Sequence, residues 1–284
     1  MKIEVMLSDA GVPNANYDSF QILSDATGIN KSDYLMKTNF AVPPAHVDIV
    51  MNYAKRRAGR EPLQQILGYT YFMGHKFVVD KNVLIPRYDT EVLVEKAVEI
   101  LDEILGMEDH ADILDMCTGS GCILLGTLLA YKDKYRKSSV SATGLGIDIS
   151  DAAISLATRN AKEVGLENLV DFKKSDLFAS VEGTYDMILC NPPYINSSEC
   201  DVLMPEVKDF EPRLALDGGA DGMDYYEKII PVAKPFLKLG GYLIFEIGYD
   251  QGERVSELMD KTGFANVQVI KDLAGLDRVV LGHL

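Results

Sequence analysis

No stretch of this 284-residue chain supplies the roughly 18 uninterrupted apolar residues that a membrane-spanning helix needs. The longest candidate, residues 122–131, is broken by Gly126 and Thr127. No membrane association is therefore expected. The opening MKIEVMLSDAG has neither a long apolar core nor a small-residue cleavage pattern, so no secretion signal is expected either. Basic residues are scarce, 28 against 43 acidic ones, for a net charge of −15. Proteins that grip DNA or RNA by its phosphates show a basic face, because counterion release dominates that affinity. The deficit points to a protein or small-molecule substrate. One basic cluster, Lys55-Arg56-Arg57-Ala58-Gly59-Arg60, reads as a solvated helix end that complements the helix dipole. Metal spacings are missing as well. The cysteines (Cys117, Cys122, Cys190, Cys200) form no Cys-x-x-Cys pair, and the histidines show no ligand spacing. No metal is expected; the thiols read as reduced and the compartment as cytoplasmic.

The apolar content of 47% and charged content of 25% are ordinary for a globular chain, so its organisation is legible from periodicity. The first 60 residues read as short helices. One ends near Thr27 and is closed by Gly28. Another covers 44–58, entering after Pro43-Pro44 and stopping at Gly59, with Val47, Val50, Met51 and Ala54 at helical spacing. Residues 61–68 form a third with a glycine stop. Strand-like pieces at 76–79 and 83–85 around Asp80-Lys81-Asn82 predict a hairpin. From residue 90 strands and helices alternate: helix 90–105, strand 112–116, helix 121–130, strand 144–149, helix 152–164, strands 169–173 and 185–190. An irregular stretch runs to about 222, then helix 224–238, strand 241–247, helix 252–262, and strands 267–270 and 278–281. Alternation implies a parallel sheet covered on both faces, and two closing strands without a helix between them imply one antiparallel partner. The expected fold class is α/β: a doubly wound seven-stranded sheet with one antiparallel strand, preceded by a small N-terminal helical domain (1–68) and a β-hairpin linker (69–89), with the sheet domain over 90–284.

In such a sheet ligands bind beyond the carboxyl ends of the strands. The first strand runs into Asp115-Met116-Cys117-Thr118-Gly119-Ser120-Gly121 and then a helix, a loop that lets backbone approach a ligand and offers free N–H groups. It lacks the G-x-G-x-x-G spacing of a dinucleotide site, which leaves a nicotinamide oxidoreductase poorly supported. The second strand ends in Asp148-Ile149, an acid that could accept both ribose hydroxyls or merely cap the following helix. After the third, Ser175-Asp176-Leu177 could receive an adenine amino group or be a polar turn. The fourth ends in Asn191-Pro192-Pro193-Tyr194. Two prolines cannot donate to a ladder, so the strand stops there, and the chain leaves its tip extended and stiff.

A glycine loop, a ribose acid and an Asn-Pro-Pro-Tyr corner at successive strand tips resemble the class I, Rossmann-like, S-adenosylmethionine-dependent methyltransferases. In that fold the corner implies transfer to a planar nitrogen. An amide nitrogen is a poor nucleophile, because its lone pair is delocalised into the carbonyl. The Asn191 side-chain oxygen and the Pro192 carbonyl would hold its two N–H groups, orienting it and favouring the charge that develops there. Pro192 and Pro193 would supply stiffness, and Tyr194 a flat face for a planar group.

The same corner serves amino-methyltransferases of nucleic-acid bases, which stand as the alternative function; a non-catalytic S-adenosylmethionine-binding protein would not need it. Outside the fold, Pro62-Leu63-Gln64-Gln65-Ile66-Leu67-Gly68, Phe72-Met73-Gly74, Leu84-Ile85-Pro86-Arg87-Tyr88-Asp89-Thr90-Glu91, Phe210-Glu211-Pro212 with Ala215-Leu216, and Gly248-Tyr249-Asp250-Gln251-Gly252 together resemble the HemK/PrmC family. These are glutamine N5-methyltransferases of peptide chain release factors. The resemblance implies that the N-terminal helices help hold a release factor, and that the target is the glutamine of its Gly-Gly-Gln loop. It carries the site for S-adenosylmethionine, and for the product S-adenosylhomocysteine, onto Asp115, Cys117, Thr118, Gly119, Ser120, Gly121, Asp148, Ile149, Asp176, Leu177 and Asn191. The catalytic and substrate-amide positions fall on Asn191, Pro192, Pro193 and Tyr194. A monomer without direct nucleic-acid contact is expected. The family usually has glycine where this chain has Cys117, and proline where it has Tyr88.

Overall fold

The computed structural model describes residues 3–36, 41–136 and 140–284. The chain divides into two compact units, Met1–Tyr69 with Leu203–Phe210, and Thr70–Val202 with Glu211–Leu284.

The first unit is helical: α1 (Ile3–Asp9), α2 (Ala15–Thr27), α3 (Lys31–Met36), α4 (Val47–Ala58) and α5 (Leu63–Leu67). Gly28 and Gly68 close α2 and α5 in the left-handed conformation. Leu7, Ile22, Leu23, Val50 and Leu63 make its core. The basic cluster is not the solvated helix end the sequence suggests. Arg57 is buried, its guanidinium 2.7 Å from the Asp18 carboxylate and 2.9 Å from Glu206, while Arg60 reaches Glu206 at 2.6 Å. Two acids far away in sequence draw these cations inward, which local composition could not reveal.

The second unit opens with a hairpin of β1 (Tyr69–Phe72) and β2 (His75–Val78). The turn is Met73-Gly74, both at positive φ (49° and 78°), the signature of the tight I′ hairpin turn. The sequence reading placed this hairpin too late: residues 83–85 form no strand, because Phe72 and Phe77 both insert into the core beside α7 (Cys122–Tyr135) and leave the next segment to run across a cleft.

After a 3₁₀ turn at Tyr88–Thr90 come α6 (Glu91–Met107), β3 (Ala111–Met116), α7, β4 (Ala142–Asp148), α8 (Asp151–Glu163), β5 (Val170–Lys174) and β6 (Tyr185–Cys190). Short helices α9 (Ser197–Cys200) and, in the first unit, α10 (Pro205–Lys208) lead to α11 (Asp224–Ile229), β7 (Leu237–Glu246), α12 (Gly252–Lys261), β8 (Ala265–Lys271) and β9 (Asp277–His283). The expected helix 224–238 is broken. Pro231 and Pro235 cannot donate within a helix, so α11 decays into two 3₁₀ turns and β7 begins at Leu237.

The sheet order is β5-β4-β3-β6-β7-β9-β8, and β9 alone runs antiparallel to its neighbours. This is the doubly wound, seven-stranded α/β sheet expected. Every residue of the central β6 is buried. Met187 and Leu189 face the core built with α6 and α7; Ile188 and Cys190 face the one built with α11 and α12. A strand buried on both faces reads as a continuous apolar run, and Pro192-Pro193 end it where strand order reverses.

Candidate active site

The carboxyl ends of β3, β4, β5 and β6 open into a cavity of about 270 Å³. Its floor is the loop after β3. Asp115, fully buried, accepts the Thr118 hydroxyl at 2.6 Å and the Leu124 N–H at 3.4 Å through Oδ2. It therefore stands behind the cavity wall and shapes the loop from below. Burial pushes its carboxyl up to about 7, and the nearby Asp148 charge adds to the shift. Gly121 also stands behind the wall; at φ 79°, a side chain there would press on Leu125, Ala157 and Phe172. Cys117 lies on the wall at φ 59°, so the chain accepts the left-handed conformation at a residue that carries a side chain. Thr118, Gly119 and Ser120 complete the floor. The buried Ser120 Oγ has no hydrogen-bond partner among the described residues.

Asp148, at the tip of β4, accepts the Gly119 N–H through Oδ2 at 3.0 Å and the Ser150 N–H through Oδ1 at 2.9 Å. The cap of α8 is Ser150, whose side chain accepts from Ala153, so Asp148 is not the helix cap. Burial raises its pKa while the backbone donors oppose the rise. Each of its oxygens keeps a lone pair for a ligand hydroxyl. Beside it Ile149 exposes an apolar face to the cavity. Asp176 and Leu177 close this end. Ser175 accepts the Ser180 N–H and donates to the Leu177 carbonyl at 2.6 Å, pinning a turn in which Leu177 sits at φ 46°.

At the opposite end Asn191 and Pro193 line the cavity, with Pro212, Leu214 and Ala215 across from them. Pro192 and Pro193 are buried, which a surface turn would not require. Among the described residues, neither the Asn191 side-chain oxygen nor the Pro192 carbonyl accepts a hydrogen bond from the protein, so both acceptors remain available. Tyr194 is turned away from the wall. Its hydroxyl donates to Glu246 Oε1 at 3.3 Å, and its pKa is driven well up by burial and by that carboxylate. Its main-chain carbonyl takes the Gln251 side-chain amide at 3.0 Å, and any side chain at Gly222 would collide with the same carbonyl. The corner's backbone is thus held by the Gln251 side chain, which also binds the Gly222 carbonyl at 3.1 Å.

Several contributors were missed from sequence. Asn160, fully buried on α8, bonds both the N–H and carbonyl of Val78 and also the Ser120 carbonyl at 2.9 Å, tying the hairpin to the glycine loop. Glu211, part of the Phe210-Glu211-Pro212 motif but given no role there, is buried and accepts the Arg87 guanidinium at 2.6 and 2.8 Å. Glu246 ends the apolar Leu-Ile-Phe-Glu run of β7; one acid closing a buried strand at the ligand edge was the signal available.

The donor set fits S-adenosylmethionine. Asp148 offers a carboxylate for the ribose hydroxyls. The unpartnered Ser120 hydroxyl and the backbone of Cys117–Gly119 suit the polar amino-acid end, and the apolar side chains of Ile149 and Leu177 on the cavity wall would suit the faces of an adenine.

Residues 90–209 match the family model described as a methyltransferase small domain, and residues 2–68 match the PrmC N-terminal domain. The hMettl16 catalytic domain, solved with a 3′UTR hairpin, superposes with a TM-score of 0.57 at 16% identity, covering 81% of each chain; the likeness concerns the fold. The release factor glutamine methyltransferase of Fusobacterium nucleatum is 38% identical over 97% of this chain and 75% of its own. The protein of that name from Geobacter sulfurreducens is 39% identical over 280 residues, 98% of this chain and 93% of its own. On that similarity, maintained from end to end, the chain belongs to the release factor glutamine methyltransferases.

Proposed function

We propose that the protein methylates the side-chain amide nitrogen of the glutamine in the Gly-Gly-Gln loop of a peptide chain release factor, with S-adenosylmethionine as methyl donor. The observation that carries this reading is the shared cavity: Asn191 and Pro193 of the corner line the same space as Gly119 and Asp148 of the two loops. Bound there, S-adenosylmethionine supplies a methyl group on a positively charged sulfur.

The chain's own residues do the rest. Cys117–Ser120 and Asp148 bind the donor at one end, and Asp176 and Leu177 close around its base. Asn191 Oδ1 and the Pro192 carbonyl accept the two N–H groups of the substrate amide. An amide nitrogen held this way has both protons stabilised as positive charge builds on it, and its lone pair is turned toward the donor end of the cavity. The new bond forms between that nitrogen and the methyl carbon as the carbon–sulfur bond breaks, and the positively charged, N-methylated amide, now strongly acidic, then loses one N–H proton to water. Tyr194 serves the corner as an anchor, through Glu246 and Gln251, and no cysteine or histidine nucleophile takes part.

We further propose the domain boundaries read from sequence, with 1–68 recognising the release factor, 69–89 as linker and 90–284 as catalytic domain. The protein would act as a monomer in the cytoplasm, without direct contact to nucleic acid. No helix among the described residues is long and apolar enough to cross a membrane. The test is methyl incorporation into four substrates side by side: a release factor, the same factor with its Gly-Gly-Gln glutamine replaced by alanine, single-stranded DNA, and RNA. Label in the first alone supports the reading; label in nucleic acid would transfer it to the base-methylating alternative.

A further inference from the structure

The rings of Pro192 and Pro193 fix both φ angles, so the peptide plane between them turns on one torsion, ψ of Pro192. The Pro192 carbonyl, one of the two acceptors for a substrate amide, belongs to that plane. Its direction is therefore set by where the chain is pinned beyond the prolines.

The pins come from one loop and one side chain. The Ile195 N–H donates to the Leu216 carbonyl at 2.9 Å, and the Ile195 carbonyl accepts the Gly218 N–H at 2.8 Å. That loop starts at Pro212, Leu214 and Ala215, which line the cavity together with Asn191 and Pro193. At its far end Gln251 joins it to the corner. Gln251 Nε2 donates to the Tyr194 carbonyl at 3.0 Å and to the Gly222 carbonyl at 3.1 Å, while Oε1 accepts the Gly248 N–H at 2.8 Å. Gln251 is 6% exposed. A flipped carboxamide would set its NH₂ against an N–H and its oxygen against two carbonyls, so only one orientation fits. Gln251 immediately precedes α12, yet its side chain makes no bond that caps the helix. Two glycines show how tight the junction is. A side chain at Gly222 would collide with the Tyr194 carbonyl and lie 2.5 Å from Gln251 Nε2; one at Gly218 would lie 2.8 Å from the Pro193 carbonyl oxygen.

We propose that Gln251 is a positioning residue for the methyl transfer: by tying the Tyr194 carbonyl to the Gly222 carbonyl, it fixes the gap between the Asn191-Pro192 acceptors and the Pro212–Ala215 wall. That gap sets the plane in which a substrate carboxamide lies. Gln251 touches no reacting atom and acts through the direction of the Pro192 carbonyl. The proposal deepens the reading of the corner as an amide-methylating site and rests on it.

Two variants disturb the junction from opposite sides. Gln251→Met keeps the length and removes both donated bonds; Gly222→Ala pushes the same groups apart with Gln251 in place. With release factor as substrate, each is expected to lower kcat on the order of 10²-fold, the scale of misplacing a reacting group by about 1 Å. Affinity for S-adenosylhomocysteine should not change, because the donor end of the cavity is untouched. The double variant should be no slower than the slower single one, since both break one junction; two unrelated structural injuries would multiply. In ¹⁵N-labelled protein without substrate, the Gln251 side-chain NH₂ signal, assigned by its loss in Gln251→Met, should move in Gly222→Ala. Wild-type kcat in either variant, a loss of S-adenosylhomocysteine affinity that matches the loss of rate, multiplying losses in the double variant, or an unmoved NH₂ signal would each overturn the proposal. Gly222→Ala carries the kinetic test alone if Gln251→Met does not fold. If the wild type fails to methylate release factor, the proposed function fails, while the NH₂ signal still judges the junction.

Discussion

The carboxylate of Asp148 accepts the backbone N–H of Gly119 at 3.0 Å, joining the tips of two neighbouring parallel strands across 29 residues of sequence. One side chain thereby fixes the glycine loop and keeps lone pairs for a ligand. Replacing it by alanine removes both effects. With hydrogen bonds to a charged group contributing about 1.5–3 kcal/mol each, Asp148→Ala should weaken S-adenosylhomocysteine binding by on the order of 10²-fold. Titration calorimetry measures this; an unchanged dissociation constant would refute the ribose role.

Asp115 and Glu246 are both pushed up to about 7, mainly by burial. A carboxyl whose folded pKa lies above its unfolded value near 4 holds a proton in the folded state that the unfolded chain releases. Its contribution to stability therefore falls as pH rises between about 4 and about 7, then levels off. The ligand-free protein should lose part of its melting temperature from pH 5 to pH 7.5, and Asp115→Asn should flatten that slope. A slope identical in the variant would place the Asp115 titration elsewhere.

Cys117 carries left-handed backbone at φ 59°. That conformation costs a side-chain-bearing residue about 1–2 kcal/mol, partly offset in a glycine variant by roughly 0.5–1 kcal/mol of extra unfolded-state freedom. Cys117→Gly should raise the melting temperature slightly and Cys117→Val should lower it. A clear drop in the glycine variant would show that contacts of the thiol outweigh the strain.

The α/β alternation, the antiparallel closing strand and the functional strand tips were legible because each depends on local pattern: apolar runs, a glycine loop, and prolines where a ladder must stop. What escaped the sequence depends on partners far along the chain or on unusual residues in usual roles. The hairpin turns at Met73-Gly74, and methionine is not the asparagine or aspartate that announces such a turn. Pro231 and Pro235 were visible, but the apolar spacing around them was read as one helix. Thr90 meets Asn191 across 101 residues, and Arg57 meets Glu206 across 149. No periodicity reports such pairs.

Arg57 sits between two acids in the first unit, with side chains of Arg57 and Asp18 nearly sealed from water. Removing one member of a buried ion pair leaves an uncompensated charge, at about 3–5 kcal/mol. Arg57→Ala should destabilise the protein by that order in urea unfolding. A change below about 1 kcal/mol, the scale of exposed pairs, would mean that water reaches Asp18.

The central claim is that the Asn191 corner delivers a methyl group to a glutamine side chain. Its most direct test is peptide mass spectrometry of an unmodified release factor after incubation with S-adenosylmethionine and either the wild-type protein or Asn191→Ala. The account predicts one added methyl on the Gly-Gly-Gln glutamine with the wild type. With Asn191→Ala the rate should fall at least about 10²–10³-fold while affinity for S-adenosylhomocysteine is kept. A methyl on any other residue, or wild-type turnover by Asn191→Ala, would contradict it.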